Sequence, residues 1–221
     1  METSTTTIRP HPTVLGQVTK LSNIDQIAPR CYVATYYFFS LPENTDKLAL
    51  FRHIEHGFFT TVQQMPDLMC CICDSDGNRD ELELRLHGDS GATISMRDFT
   101  NSSDRQWTPG TFDDLKQNHF PLQNLPQEQV LAQTEFPGQV CVPTLAMQAN
   151  FIEGGLILTG CLHVRLFLSS CYRAPANNFL RQHTVCDGTG NLVLYSVLAQ
   201  HISAATTGQI PDPLTDSAIS F

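Results

Sequence analysis

Two segments near the end of the chain decide the fold: residues 144–163 read TLAMQANFIEGGLILTGCLH, and residues 183–203 read HTVCDGTGNLVLYSVLAQHIS. Apolar and polar residues alternate along 145–151, which is typical of a strand with two different faces. Glu153-Gly154-Gly155 then supplies a turn, and 156–162 returns as an apolar run typical of a buried strand. The first segment therefore predicts a β-hairpin whose second strand lies inside the protein.

The second segment predicts a helix that follows a loop. Leu194, Leu198 and Ile202 recur every four residues, so they share one face of a helix expected over 191–203. Strands, helices and hairpins are mixed along the chain, so the fold class is α/β or α+β, with a mixed sheet flanked by helices. A strand buried on both faces, or nearly so, is predicted at 31–41, and further strands are predicted at 69–73, 81–86 and 92–99. A helix is predicted from a cap at Asn44 or Thr45 to Gln64, and its inner face comprises Leu48, Phe51, Ile54, Phe58 and Val62. Residues 100–143 are predicted to form a long ordered loop that contains a short helix at 112–117 and covers another part of the domain.

The composition excludes several classes of protein. The chain has 221 residues, a formal net charge of −9, 41% hydrophobic residues and 16% charged residues. An acidic chain of this kind fits neither a disordered protein nor a sequence-independent nucleic-acid binder. No apolar run approaches the ~18 residues of a membrane span, and residues 1–7 lack the cationic and apolar regions of a secretory signal. We therefore expect a soluble, cytoplasmic protein with a disordered N-terminal segment at 1–14 and a tail at 206–221.

Two segments match metal sites poorly. Cys70 and Cys73 have the spacing of a zinc-binding pair, but no second pair follows, and the surrounding run 68–73 is apolar. Its cysteines are predicted to be buried in a strand, and the absence of a secretory signal argues against a disulfide framework for the eight cysteines. Residues 74–80 lack the glycine and glutamate spacing of a calcium loop, so their Asp-Gly-Asn sequence predicts a hairpin turn. No metal site is predicted.

A histidine and an aspartate four positions apart precede the predicted helix. His183 can act as a general base because an imidazole titrates near neutral pH. Asp187 can turn inward to orient the ring or hold the loop, and Gly188 and Gly190 are expected to let the backbone turn between strand and helix. By itself this spacing is also typical of an ordinary loop with a surface histidine. The remaining histidines, which include His53, His56, His87, His119 and His201, are assigned no role.

The order of these elements resembles that of a known enzyme superfamily. A buried strand, a Gly-Gly hairpin, a histidine, HTVCDGTG (183–190) and a helix are similar to the HHxxxDG acyltransferases, which share the chloramphenicol-acetyltransferase-like fold. Residues 21–39, LSNIDQIAPRCYVATYYFF, resemble the opening strand of the fungal BAHD-type branch, and 150–163 resemble its hairpin. Within that branch the chain is similar to the N-terminal half of trichothecene 3-O-acetyltransferase-like enzymes. The resemblance assigns 15–205 to an acyltransferase N-terminal domain.

The resemblance implies transfer of an acyl group from a coenzyme A thioester to a hydroxyl of a secondary metabolite. His183 matches the catalytic base of the family, and His163 matches the first histidine of the motif. Asp187 matches an aspartate that pairs with an arginine, so its implied role is structural. The family forms no covalent acyl-enzyme, so Cys186 need not be a nucleophile. Acyl-CoA, in the simplest case acetyl-CoA, is then a co-substrate, and no permanently bound cofactor is implied.

The chain departs from the family motif between the two histidines. They are adjacent in the family, whereas here residues 164–182 separate His163 from His183. Removing 164–182 restores CLHHTVCDGTG, the complete family pattern. The segment begins with Val-Arg, which GTNCGN can encode, and ends with Gln, which CAG can encode, so its ends match an intron donor and acceptor. We therefore expect a retained intron; the alternative is a genuine loop insertion.

A second departure concerns the domain that the resemblance places after this one. Its DFGWG-type motif has no counterpart before Phe221, although the acyl-CoA site and the acceptor tunnel would lie between the two domains. We therefore expect a C-terminal domain that is absent, and a chain that is inactive as written or completed by a separate chain. The expected partners are acyl-CoA and a small-molecule alcohol, without nucleic acid or membrane, and the expected state is a monomer unless such a second chain exists.

Two other functions fit the same residues. A fragment of a peptide-synthetase condensation domain would share the HHxxxDG motif, although no carrier domain adjoins it in this sequence. A non-catalytic remnant or binding module would keep the fold without turnover. Both remain alternatives at the level of the sequence.

Overall fold

Strands and helices alternate irregularly along the chain. The structure, a computed structural model, describes residues 3–12, 15–21, 26, 32–75, 78–100, 107–132, 141–163 and 188–209. Its strands are β1 Thr3–Ile8, β2 Gln17–Lys20, β3 Tyr32–Ser40, β4 Cys71–Ser75, β5 Asn78–Leu86, β6 Ala92–Asp98, β7 Cys141–Pro143, β8 Leu145–Ile152 and β9 Gly155–His163. Its helices are α1 Lys47–Gln64, α2 Phe112–Gln117, α3 Gln127–Val130 and α4 Gly188–Thr207, with 3-10 turns at Pro66–Met69 and Leu122–Asn124.

The hairpin predicted from residues 144–163 lies at the centre of a five-stranded sheet of order β1-β6-β8-β9-β3. β8 and β9 pair antiparallel, and Gly154 turns between them with a φ of 76°, a value that suits glycine. β6 runs parallel to β8, whereas β3 and β1 pair antiparallel with β9 and β6. A second sheet has the order β2-β5-β4-β7. The predicted mixed sheet is confirmed.

The two long helices, α1 and α4, pack against one face of the five-stranded sheet. The predicted inner face of α1 is largely confirmed, except that Leu48 in the first turn is 52% exposed. Neither described long helix is apolar enough over its length to cross a bilayer. The core that the helices share with the sheet includes Phe51, Ile54, Phe58, Val62, Met147, Ala149, Phe151, Leu158, Leu194 and Leu198.

The N-cap of α1 is Asp46, one or two residues beyond the predicted caps. Its carboxylate accepts a hydrogen bond from the Ala49 amide at 2.9 Å. Asn44 and Thr45 are also good capping residues, so composition does not distinguish the three positions. The preceding turn determines which residue caps the helix, because the Thr45 amide and hydroxyl both donate hydrogen bonds to the carbonyl oxygen of Pro42 and Thr45 therefore belongs to that turn.

The helices α1 and α4 approach each other closely at Gly57. A Cβ atom at this position would lie 2.7 Å from the backbone nitrogen of Ile202 and 2.9 Å from its Cα. Both atoms belong to the backbone of α4, so a larger residue would have to displace the whole helix. Gly57 therefore sets the spacing of the helix pair.

Replacing Gly57 with alanine is expected to lower the free energy of unfolding by about 1–3 kcal/mol through overpacking. The loss should appear although alanine is the better helix former by about 1 kcal/mol. Urea unfolding followed by circular dichroism measures it. Gly88→Ala is the matched control, because no atom lies within 4 Å of the added Cβ, and it should leave stability unchanged. Equal stability of Gly57→Ala and the wild type would contradict the close approach.

Residues Thr3–Ile8 form strand β1, so the disorder predicted for residues 1–14 is wrong for these six residues. β1 pairs with β6 along its whole length, from Thr3 opposite Arg97 to Ile8 opposite Ala92. The sequence TSTTTI contains a single apolar residue, so it shows no hydrophobic alternation. Threonine nevertheless suits strands, and backbone hydrogen bonds to β6 provide the pairing that side-chain pattern cannot reveal.

β3 is an edge strand, whereas the sequence predicted a strand buried, or nearly buried, on both faces. In the described part of the chain it pairs with β9 alone, and Val33 and Phe39 are 36% and 45% exposed. Aromatic and β-branched residues favour any half-buried strand, so they do not distinguish an edge from a central position. Tyr37 instead packs towards α4, on the same face as the main core.

The cysteine-rich run lies in the four-stranded sheet. Cys70 and Cys71 are buried free thiols, as predicted. Cys73 is also buried, but it forms a disulfide with Cys141, contrary to the expectation that the chain has no disulfides. The two residues are 68 positions apart in sequence and face each other across β4 and β7. This pairing depends on strand order, which the cysteine spacing does not report.

The predicted Asp-Gly-Asn hairpin joins β4 to β5. These strands pair antiparallel with Ser75 opposite Asn78, and residues 76 and 77 lie outside the described residues. Leu82, Leu84 and Leu86 are buried, as the alternation predicts. The charged residues that alternate with these leucines are not all exposed to solvent. Glu83 is also buried, and it forms an ion pair with Arg85.

Candidate active site

β9 and α4 hold the two ends of the segment that carries the predicted catalytic motif. β9 ends at His163, and α4 begins at Gly188. His183, Asp187 and the predicted insertion 164–182 lie outside the described residues, as does the side chain of His163. The structure therefore gives the frame of the candidate site: the point at which the chain leaves the sheet and the point at which it enters the helix.

Gly188 and Gly190 are helical, so the expectation that they turn the backbone before the helix is wrong. Both lie in the first turn of α4, which starts before the predicted residue 191. Glycine is a poor helix former, and this hides the helix start in the sequence. Tertiary packing overrides the propensity, because Leu194 and Leu198 are buried in the core and hold the helix there.

Gly160 of β9 and Tyr195 of α4 meet where the strand and the helix approach each other. A Cβ atom at position 160 would lie 3.1 Å from Cζ of Tyr195 and closer still to its hydroxyl oxygen. Tyr195 also packs on Tyr37 of β3, with ring centroids 4.8 Å apart. This contact sets the distance between the two elements that flank the catalytic motif.

Gly160→Ala is expected to lower the free energy of unfolding by about 1–3 kcal/mol, because the added methyl group overlaps the phenol. Adding Tyr195→Phe removes the nearest atom, so the double variant should lose less stability than the two single variants together. Chemical denaturation of the four proteins measures this coupling. Strictly additive losses would mean that the glycine and the phenol do not constrain each other.

The ionisable side chains described at this end of the sheet are neutral at pH 7. Tyr32, opposite His163 in register, donates its hydroxyl to the carbonyl oxygen of Pro143 at 2.8 Å, and burial raises the pKa of its phenol. Burial also raises the pKa of the Cys161 thiol to about 11, and it raises the pKa of Cys71. A protonated thiol is a poor nucleophile and a poor base. These three groups are therefore unsuited to acid–base or nucleophilic work at neutral pH.

Three buried polar side chains lie on the sheet face that points away from α1 and α4. Thr159 and Asn150 donate hydrogen bonds to the carbonyl oxygen of Val130, at 2.7 Å and 2.9 Å. Gln148 donates to the carbonyl oxygen of Gln129 at 2.6 Å. They satisfy the backbone of α3 and attach it to the sheet. Sequence analysis missed this role, because polar residues that alternate along a strand normally indicate a solvated face.

The segment between β6 and β7 covers that same face, as expected for the long loop. α2 forms at the predicted residues, and Thr111 and Asp114 form a capping box at its start. Residues 101–106 and 133–140 lie outside the described residues. The apolar contacts form a second cluster that comprises Phe99, Phe112, Leu115, Leu125, Val130, Ile152 and Ile157.

One histidine that was assigned no role in the sequence belongs to the core. His201 is 4% exposed, and its Nδ1 lies 2.9 Å from Oγ1 of Thr61, across the contact between α4 and α1. Burial lowers the pKa of this imidazole, and the nearby His56 lowers it further. A neutral, hydrogen-bonded ring in this position stabilises the helix pair and lies apart from the candidate site.

Comparison with known proteins places these features in a family. The model of the trichothecene 3-O-acetyltransferase-like N-terminal domain matches residues 31–165. Acyltransferase easC of Emericella nidulans is 27% identical over 196 residues, which cover 88% of this chain and 36% of that protein. Acyltransferase cm3D of Cordyceps militaris is 28% identical over 216 residues, which cover 94% and 41%.

A solved structure supports the same assignment at the level of the fold. TRI101 of F. graminearum, complexed with coenzyme A and T-2 mycotoxin, superposes with a TM-score of 0.67 at 16% identity, over 91% of this chain and 41% of that chain. The described chain has the chloramphenicol-acetyltransferase-like fold. It spans well under half the length of these relatives. Since the family model covers more than half of its residues, the chain belongs to the trichothecene 3-O-acetyltransferase-like N-terminal domain family.

Proposed function

We propose that this chain provides the general base of an O-acyltransferase that moves an acyl group, in the simplest case acetyl, from coenzyme A to a hydroxyl of a secondary metabolite. The observation that carries the proposal is the placement of the motif in a family member. His163 closes β9, HTVCDG follows in the sequence, and the glycine of that motif opens α4. Residues 164–182 alone separate the HxxxD motif from β9, and we propose that without them the motif joins β9 to α4.

His183 is the proposed base. The acceptor oxygen attacks the thioester carbonyl while the neutral imidazole takes the hydroxyl proton. Collapse of the tetrahedral intermediate breaks the carbon–sulfur bond, and the imidazolium returns its proton to the departing thiolate. The products are an ester and coenzyme A, and the imidazole is neutral again.

Three described side chains near the end of β9 do not fit the role of the base. Tyr32, Cys71 and Cys161, near the end of β9, have pKa values that burial raises, so they stay protonated. No acyl-enzyme is proposed, and Cys186 has no part in the reaction. Asp187 is proposed to hold the motif in place through a partner arginine, and His163 to serve the motif structurally.

The proposed acceptor is a small alcohol of mycotoxin-type secondary metabolism, and the proposed compartment is the cytoplasm. The support is the likeness to TRI101, which was solved with coenzyme A and T-2 mycotoxin bound. Acyl-CoA is proposed as a co-substrate rather than a resident cofactor. The proposed unit is a monomer of residues 15–205, or that domain together with a separate chain that supplies a second one.

Residues 164–182 are proposed to be foreign to the active domain. The family-model match ends at residue 165, close to the point where the segment begins. A retained intron accounts for the position of the segment and for its first and last residues, whose codons can match an intron donor and acceptor. Sequencing the transcript across codons 160–190 tests this origin, and a mature message that still encodes the segment would contradict it.

An acyl-transfer assay tests the function. The chain and a version without 164–182 are incubated with acetyl-CoA and a panel of primary and secondary alcohols, including a trichothecene. We expect alcohol-dependent release of the coenzyme A thiol and an acetyl ester detected by mass spectrometry. Transfer from a carrier-protein thioester to an amine would instead indicate a condensation domain. Absence of alcohol-dependent release from both chains, also when a separate second domain is supplied, would favour a non-catalytic remnant.

A further inference from the structure

Two cysteines and a histidine converge in the four-stranded sheet. Cys73 on β4 lies opposite Cys141 on β7, and His87 directly follows β5, the other neighbour of β4. One ligand atom of each residue lies within 4.8 Å of the other two. Cys73 is buried, whereas His87 and Cys141 are half-buried, so the cluster opens towards solvent on one side.

The sulfur pair has two chemical states that exclude each other. In the structure Cys73 and Cys141 form a disulfide, which offers no thiolate to a metal. A thiol reductant such as glutathione opens it: two glutathione thiols become one glutathione disulfide, and each protein sulfur gains a proton. In a reducing compartment this dithiol is the stable state.

We propose that the reduced Cys73, His87 and Cys141 bind one Zn²⁺, with water in the fourth position. The cation replaces the two thiol protons, which pass to solvent, and the disulfide is the metal-free, oxidised form of the same site. Two thiolates and an imidazole are soft or borderline ligands, which select zinc over magnesium or calcium. The proposal uses none of the residues proposed for acyl transfer and does not depend on that function.

The geometry suits a tetrahedral ion. Zn–S bonds of about 2.3 Å and Zn–N bonds of about 2.0–2.1 Å place neighbouring ligand atoms about 3.5–3.8 Å apart. In the oxidised state the two sulfurs are bonded to each other, and all three ligand atoms lie within 4.8 Å of one another. Metal binding therefore requires the reduced sulfurs to separate and the imidazole to adjust its position. Both cysteines have short side chains on paired strands, so rotation about their Cα–Cβ bonds separates the two sulfurs while the ladder between β4 and β7 stays intact.

The backbone at His87 is fixed before any metal binds. Its amide donates to Oγ of Ser90 at 3.0 Å, and the Ser90 amide donates back to its carbonyl oxygen at 2.9 Å. The Nδ1 atom of His87 accepts a long hydrogen bond of 3.3 Å from the Asp89 amide. Coordination through Nδ1 replaces this contact, and coordination through Nε2 ends it by moving the ring proton to Nδ1. In either case the cost is one long hydrogen bond.

Zinc and cobalt titrations of the full chain test the proposal. After reduction and removal of the reductant, the wild type should take one Zn²⁺ per chain from a chelating dye. With Co²⁺ it should show thiolate-to-metal charge-transfer absorption in the near ultraviolet. The oxidised wild type should bind neither ion. Because loss of an outer-shell partner alone lowers metal affinity about 10–100-fold, Cys73→Ser and Cys141→Ser should lower it more than this.

Two further variants make the result specific. His87→Ala should weaken zinc binding at least about tenfold and change the cobalt spectrum, since it removes a ligand and leaves the strands untouched. Cys71→Ser removes a buried thiol on the same strand and should bind one equivalent like the wild type. The proposal is overturned if the reduced wild type binds no more zinc than Cys73→Ser, or if Cys71→Ser loses the site as well. Circular dichroism confirms that each variant is folded.

Discussion

Deletion of residues 164–182 is expected to raise the rate of acyl transfer by at least about 100-fold, since catalytic groups lose roughly this much when they are misplaced by ~1 Å. In the unaltered chain of 221 residues, segment 164–182 separates His183 from the end of β9. Without the segment His183 directly follows His163, and the last residue pair of the ladder, His163 opposite Tyr32, fixes its starting point. The last strand of the sheet can then position the imidazole, whereas with 19 intervening residues the position of the imidazole no longer depends directly on the strand.

The measurement compares three chains under identical conditions. The first is the unaltered chain, the second lacks residues 164–182, and the third carries a Gly/Ser linker of the same length in place of that segment. With a second domain supplied to complete the enzyme, we expect ester formation from the second chain and little from the other two. Grafting 164–182 into the aligned position of easC should lower the activity of that acyltransferase to a similar extent. Comparable turnover with and without the segment, in an otherwise complete enzyme, would contradict the prediction.

Replacement of His183 by alanine is expected to lower kcat/KM for acyl transfer by about 10²–10⁴-fold, the usual contribution of a general base. The effect should be measured in the chain without 164–182, where the base is in place. Coenzyme A affinity should change little, because the imidazole acts on the acceptor hydroxyl. The rate of the active parent should fall on the acid side as the imidazole becomes protonated.

Two controls separate catalysis from folding. His119→Ala removes an exposed histidine from the end of α2 and should keep full activity. His201→Ala removes the buried imidazole that binds Thr61, so it should lower stability while the remaining folded enzyme keeps its pH profile. If His183→Ala keeps the parent rate and pH profile, another group is the base.

Several features could be read from the sequence because they depend on local pattern. The alternation in 145–151 and the Gly-Gly turn predicted the β8–β9 hairpin, and the spacing of Phe51, Ile54, Phe58 and Val62 predicted the buried face of α1. Other features depend on which elements become neighbours. β1 owes its order to backbone pairing with β6, and the buried amides of Gln148 and Asn150 owe their burial to α3. Neither relation leaves a periodic signal.

The sequence by itself determined the fold class, because hydrophobic period and turn residues report local structure. It indicated the family, and with it the proposed base, through its resemblance to a motif that is contiguous once 164–182 is removed. Only the tertiary structure decided that Gly160 faces Tyr195, that β3 lies at an edge, and that Cys73, His87 and Cys141 meet. The physical reason is the order of strands in each sheet. Residues far apart in sequence become neighbours through β2-β5-β4-β7 and β1-β6-β8-β9-β3, and side-chain chemistry along the chain does not encode that order.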